Sequence, residues 1–234
     1  MNNLMNDRLS RGEAIGLILL LALHTVVLPL GIGIASVFSP RLAASGAWAN
    51  FLYYSISFAL TFLVGGRFLR RSFDSLADNI SAAVKCILLS FVLYYALTFA
   101  VTALMSLIPF LQEGNPNQSA VADFVELEKG PMIAAVVFMA PVVEEVIFRG
   151  CVFCGLYRKS RVAAYLLSIA AFSLYHVWQF ALLEDVRMLL YALQYIPASF
   201  VLCRLYEKSG TIWAGIFFHM VINGIAVAVV LGGV

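Results

Sequence analysis

The chain has 234 residues, 62% of them hydrophobic and 12% charged, with a mean hydropathy of +0.94. A soluble domain carries about 25% charged residues. Half that share leaves too little polar surface to cover a particle in water, so a water-soluble enzyme is excluded. The net charge of +2 gives no reason to expect a nucleic-acid partner, and the expected surround is the lipid bilayer.

A membrane-crossing helix needs about 20 apolar residues. Such runs fall at roughly 14–37, 48–66, 82–110, 131–157, 162–183, 186–206 and 211–231. They predict an all-α membrane protein: a polytopic bundle of about seven transmembrane helices, a single domain over 1–234. The first run follows Arg8 and Arg11 but is longer than the h-region of a signal peptide, so it reads as an uncleaved span. The four cysteines (Cys86, Cys151, Cys154 and Cys203) all sit in apolar helical stretches and read as packing residues.

Basic residues test the orientation. With a cytoplasmic N-terminus, Arg8, Arg11, Arg67, Arg70, Arg71, Arg158, Lys159, Arg161, Arg204 and Lys208 all face the cytoplasm, ten of the fifteen Lys and Arg. Arg41, Lys129 and Arg187 face the other side. That bias follows the positive-inside rule and predicts a multi-pass protein of the cell (inner) membrane. The longest loop, about 111–130, is acidic and would lie outside, as would the C-terminus.

The fourth run carries Glu144, Glu145 and Arg149. Ionisable groups at that depth are costly and mark functional or partnered sites. Residues four apart share a helix face, so Arg149 is the partner of Glu145, and the two read as a structural ion pair. Glu144 is left without a helical ion partner and is the candidate base. Pro141, one turn earlier, tends to kink its helix, as helices lining polar cavities tolerate. Two further elements carry polar groups: Phe172 to His176 in the fifth run, and His219 to Asn223 in the seventh. His24 has no polar neighbour at helical spacing and reads as a helix–helix contact.

A glutamate, two histidines and an asparagine in one cavity suit peptide hydrolysis. Glu144 and His176 could activate water, and His219 and Asn223 could donate to a tetrahedral oxyanion. No serine or cysteine nucleophile stands beside a base. No cofactor is expected. A zinc at an overlapping Glu/His site is the alternative, although the H-E-x-x-H pattern is missing.

Read in order, Glu144-Glu145-x-x-x-Arg149, Phe172-x-x-x-His176 and His219-x-x-x-Asn223 resemble the CPBP family. This family comprises the CAAX prenyl endopeptidases and bacteriocin-processing (Abi) proteins. The resemblance covers about residues 130–231, which would form the catalytic core; the N-terminal half would add only spans. It implies a CAAX-type intramembrane glutamic endopeptidase, a protease without a metal, with Glu144 and His176 activating water and His219 and Asn223 forming the oxyanion site. Its substrate would be a membrane protein or peptide, a prenylated protein among the candidates. Two other functions are open: a non-catalytic membrane partner or bacteriocin self-immunity protein keeping the family fold, and a transporter or proton relay.

Overall fold

The computed structural model describes residues 9–233, and no strand occurs among them. The principal helices are α1 (Arg11–Phe38), α2 (Gly46–Asp78), α3 (Ile80–Met105), α4 (Pro116–Leu127), α5 (Lys129–Tyr157), α6 (Arg161–Tyr175), α7 (Trp178–Leu183), α8 (Val186–Ser209) and α9 (Ile212–Gly232). Six of them, α1, α2, α3, α5, α8 and α9, are long and apolar enough to cross a membrane. The protein is a polytopic all-α membrane protein.

The expected seventh crossing, 162–183, does not form one helix. It splits into α6, of 15 residues, and α7, of 6 residues. At about 1.5 Å per residue α6 reaches about 22 Å, short of the roughly 30 Å hydrocarbon core. The break falls at His176. Its ring Nδ1 donates to the carbonyl of Phe172 at 2.8 Å, the acceptor that a continuing helix would use. The next N–H, of Val177, tightens back to Leu174 O at 3.1 Å. The sequence there holds neither glycine nor proline to announce a stop. The chain returns through a 3₁₀ stretch, Val186–Tyr195, before α8 becomes regular at Ile196.

α5 is the central helix. In its most apolar window 61% of residues are buried, against 6% in α3, which faces outward. Around α5 the other helices are tied end to end. At the start of α1, Ser10 and Glu13 form a reciprocal capping box, which satisfies N–H groups that no helical carbonyl reaches. The Glu13 carboxylate also takes both arms of Arg71 from α2, at 2.9 and 3.0 Å. Ser72 Oγ then accepts the N–H of Ile212 at 2.8 Å, Thr211 Oγ1 donates to Ser72 O at 2.7 Å, and Trp213 Nε1 donates to Leu69 O at 2.9 Å. These bonds dock the start of α9 on the end of α2. Nearby, Glu207 of α8 accepts from Tyr157, Arg161 and Tyr165.

One end of the bundle therefore collects Arg11, Arg67, Arg70, Arg71, Arg158, Lys159, Arg161, Arg204 and Lys208. Arg8, assigned to the same side above, lies outside the described residues. The other end carries Arg41, Lys129 and Arg187 against six acidic residues: Glu113, Asp123, Glu126, Glu128, Glu184 and Asp185. There α4 is pinned by Asn115 to Gln194 at 2.6 Å and by Asn117 to the Tyr195 hydroxyl at 3.0 Å.

Ser72→Ala would leave the buried N–H of Ile212 without an acceptor. It should lower unfolding stability in detergent by about 1–3 kcal/mol. An unchanged thermal midpoint would contradict the docking role given to Ser72.

Candidate active site

α5 leaves regular α-helical geometry twice, in π-helical turns at Ala134–Met139 and Glu145–Phe153. Such turns recur at functional sites. In the first, the N–H of Ala140 bonds to Ala135 O, five residues back. Continued by one residue, that register would pair Pro141 with Val136 O, but proline has no N–H to give. The orphaned carbonyl is taken from outside: Asn223 Nδ2 of α9 donates to Val136 O at 2.9 Å. Asn223 thus closes a gap that Pro141 opens, and α9 is fixed beside the bend.

Beyond the bend the two glutamates diverge. Glu145 is fully buried, and its Oε1 lies 3.1 Å from Arg149 Nη1 and 3.0 Å from His219 Nδ1. Arg149 Nη2 reaches Ser199 of α8, at 2.9 Å to Oγ and 3.2 Å to the carbonyl. The guanidinium lies over the Phe172 ring, 4.3 Å from its centroid, a cation–π contact strengthened by the dry surroundings. Glu145 Oε2 meets no donor and faces Gly215, where an added Cβ would stand 3.1 Å from it. A side chain there would crowd the carboxylate by a few tenths of an ångström.

Glu144 is also buried, but it faces a cavity. Its Oε1 accepts from the Tyr54 hydroxyl at 3.0 Å. Its Oε2 stands 3.9 Å from Nε2 of His176 and 3.9 Å from Nε2 of His219. The Phe172 carbonyl can only accept, so His176 Nδ1 carries the proton in that bond. In a neutral imidazole its Nε2 then presents a lone pair toward Glu144. His176 is held from the other side by Tyr195, stacked at 4.2 Å between centroids. Three chain-distant elements therefore converge: Glu144 from α5, His176 from the end of α6, and His219 from α9. Asn223 lines the same cavity one turn further along α9.

That cavity has a volume of about 810 Å³. Its wall is mostly aliphatic and aromatic, including Val121, Val125, Ile222 and Val230, with Glu144, His176, His219 and Asn223 at its polar end.

The N-terminal half does more than add spans. Tyr54 and Tyr53 of α2 line the cavity, and Tyr53 bonds Tyr175 at 2.9 Å, which approaches Tyr54 at 3.3 Å. His24 of α1 is buried and has two partners from α2, Ser57 at 2.8 Å and Tyr53 at 2.9 Å. A hydroxyl chain thus runs from His24 to Glu144. Sequence reasoning missed Tyr54, Tyr175 and Tyr195. The only signal for Tyr54 was a polar tip on an apolar run, which many lipid-facing tyrosines share.

A zinc site holds nitrogen and oxygen ligands at roughly 2.0–2.2 Å. Among the described residues no three His, Cys, Asp or Glu side chains are arranged to hold a metal ion. Glu144, His176 and His219 come nearest: both Nε2 atoms stand 3.9 Å from Glu144 Oε2, while His219 Nδ1 is bonded to Glu145.

Residues 127–225 match the family model described as Rce1-like, type II CAAX prenyl endopeptidase Rce1-like. The match agrees with the CPBP resemblance of the three motifs. The segment contains all three motifs, from Glu144 to Asn223, and excludes the tyrosines of α2. Over that segment, which is less than half of the chain, the protein is similar to CAAX-protease-like membrane proteins. No curated protein and no solved structure matches the chain.

Removing Arg149 would leave the Glu145 carboxylate buried with a histidine alone. Arg149→Ala should therefore cost about 3–5 kcal/mol, read as a large drop in the thermal midpoint and in folded yield. A variant as stable as the parent would show that the ion pair is dispensable.

Proposed function

We propose that the protein is an intramembrane endopeptidase. It hydrolyses peptide bonds of membrane-associated proteins or peptides with water activated by Glu144 and His176. One observation carries the reading: at the polar end of an apolar cavity, Glu144 Oε2 stands 3.9 Å from a histidine Nε2. That gap is too long for a direct hydrogen bond and suits one water shared between the two groups.

The steps follow from the donors and acceptors present. The water donates one proton toward Glu144 and the other toward the lone pair of His176 Nε2. Its oxygen attacks the scissile carbonyl, and Glu144 takes the proton. Tyr54, donating to the other carboxylate oxygen, fixes the carboxylate plane. The oxyanion needs donors where the carbonyl oxygen turns tetrahedral. Nε2 of His219 and the second amide hydrogen of Asn223 serve there. With Nδ1–H on Glu145, a donor at Nε2 makes His219 an imidazolium. When the carbon–nitrogen bond breaks, Glu144 returns its proton to the leaving amine.

The protein would sit in the cell membrane with its basic end, and its N-terminus, in the cytoplasm. The reaction as drawn uses no metal, so chelators should leave cleavage unchanged. Loss of activity on chelation together with loss of a stoichiometric zinc would overturn that.

The decisive comparison is of new protein termini, by mass spectrometry, in the native host expressing the parent, Glu144→Gln or His176→Ala at equal levels. Parent-only termini are expected, and purified enzyme should lose about 10²–10⁴-fold in rate in either variant. Retained cleavage by folded Glu144→Gln would sink the mechanism. An absence of parent-only termini would favour the scaffold or immunity reading.

Tyr54→Phe removes one hydrogen bond to a charged group, typically about 1.5–3 kcal/mol. It should slow cleavage by roughly tenfold or more, at 1.36 kcal/mol per factor of ten, with the fold retained. An unaltered rate would mean that Glu144 is oriented without it.

A further inference from the structure

The cavity occupies only one half of the bundle. Every helix that lines it contributes residues from its middle or from the half remote from the basic end: Ile32 late in α1, Asn50 early in α2, Ala140 early in α5, Val230 late in α9. Its rim is α4, through residues such as Asn117 and Gln118. On the other side of Glu144 the bundle is closed. Phe68, Phe148, Phe153, Tyr206 and Ile212 are fully buried and belong to one packed cluster. The Arg149–Glu145 pair touches Phe172 and His219 of the cavity wall and has no exposure of its own. A peptide carbonyl could reach Glu144 from the basic end only by unpacking the core.

The basic end is the cytoplasmic one by the distribution of Lys and Arg. From these two observations, the position of the cavity and the asymmetry of charge, we infer that the site takes its substrate from the extracytoplasmic face. The substrate is an apolar, extended segment of a membrane-anchored protein or peptide lying at the outer surface. This rests on the proteolytic reading above and narrows it. A prenylated C-terminus anchored in the cytoplasmic leaflet would present its scissile bond at the closed end, so such tails are not the substrates. The wall agrees with the assignment. Val121, Val125, Ile222 and Val227 offer apolar surface to side chains, while Asn50 and Gln194 leave polar groups for the backbone of an extended segment.

Accessibility tests it without needing the substrate. Single cysteines are placed at Asn50→Cys in the cavity wall, Gln118→Cys on its rim, Glu113→Cys in the loop beyond, and Lys208→Cys at the basic end. The parent, with its four native cysteines, serves as the blank. A membrane-impermeant maleimide is applied to spheroplasts before and after permeabilisation. The expected result is labelling of Glu113→Cys, Gln118→Cys and Asn50→Cys from outside, with Lys208→Cys labelled only after permeabilisation. Labelling of Lys208→Cys from outside would overturn the inference. So would an Asn50→Cys and Gln118→Cys pair that stays unreactive from outside while Glu113→Cys reacts.

The termini comparison separates this from the parent proposal. Glu144-dependent termini in extracytoplasmic segments support the inference, and the same termini in cytoplasmic segments overturn it. An absence of Glu144-dependent termini overturns the proteolytic reading, and with it the assignment of a substrate, while the labelling result stands on its own.

Discussion

One carboxylate holds the site together. Glu145 Oε1 accepts from Arg149 and from His219, and Arg149 continues to Ser199 on α8 and to the face of Phe172 on α6. Four helices are thereby joined at a point that water does not reach. Burying such charges costs several kcal/mol per ion, and the cost is offset by the bonds that Glu145 Oε1 and both Nη atoms of Arg149 make; Glu145 Oε2 and Arg149 Nε meet no partner. The consequence is geometric. His219 cannot rotate without abandoning Glu145, and Phe172 cannot shift without uncovering the guanidinium. Since the Phe172 carbonyl in turn fixes His176, the anchor determines where both histidines stand relative to Glu144.

Two neighbouring glutamates therefore do different work. Successive helix residues point in different directions, so Glu145 is turned into the bundle and Glu144 into the cavity. The backbone around them is made for this. Pro141 removes one donor, the π-helical turn widens the helix, and Asn223 repairs the vacancy from α9. A residue read from sequence as an oxyanion donor thus also stitches two helices together. Substitutions at Asn223 will mix structural and chemical effects, whereas Tyr54 touches Glu144 alone among the charged residues of the site and gives the cleaner probe.

Much of this was legible in the chain. Composition settled the membrane class, and six of the seven apolar runs lie in helices long and apolar enough to cross a membrane. The spacing of Glu145 and Arg149 gave their contact, since helix periodicity is local. What escaped was set by distant parts. α6 stops at His176 with no glycine or proline to mark the end. Tyr54 reaches Glu144 across ninety residues of sequence, and Gly215 sits close against a carboxylate on another helix. His24, read as a helix–helix contact, does bond α2, but its partners Ser57 and Tyr53 could not be named from one helix. Pattern reading within one helix cannot see pairings between two.

The polarity of the molecule adds a constraint that motifs alone do not carry. Glu144, His176, His219 and Asn223 line a cavity whose other lining residues come from the middle or the remote half of each helix relative to the basic end, so the reading of its chemistry and of its orientation can fail separately. The chemistry is tested most directly by a high-resolution experimental structure of the protein in a lipid phase. The account predicts an ordered water between Glu144 Oε2 and His176 Nε2, at hydrogen-bond distances of about 2.7–3.0 Å, with Asn223 on the Val136 carbonyl. A metal ion at roughly 2.0–2.2 Å from those atoms, or a Glu144 turned away from both histidines, would contradict it.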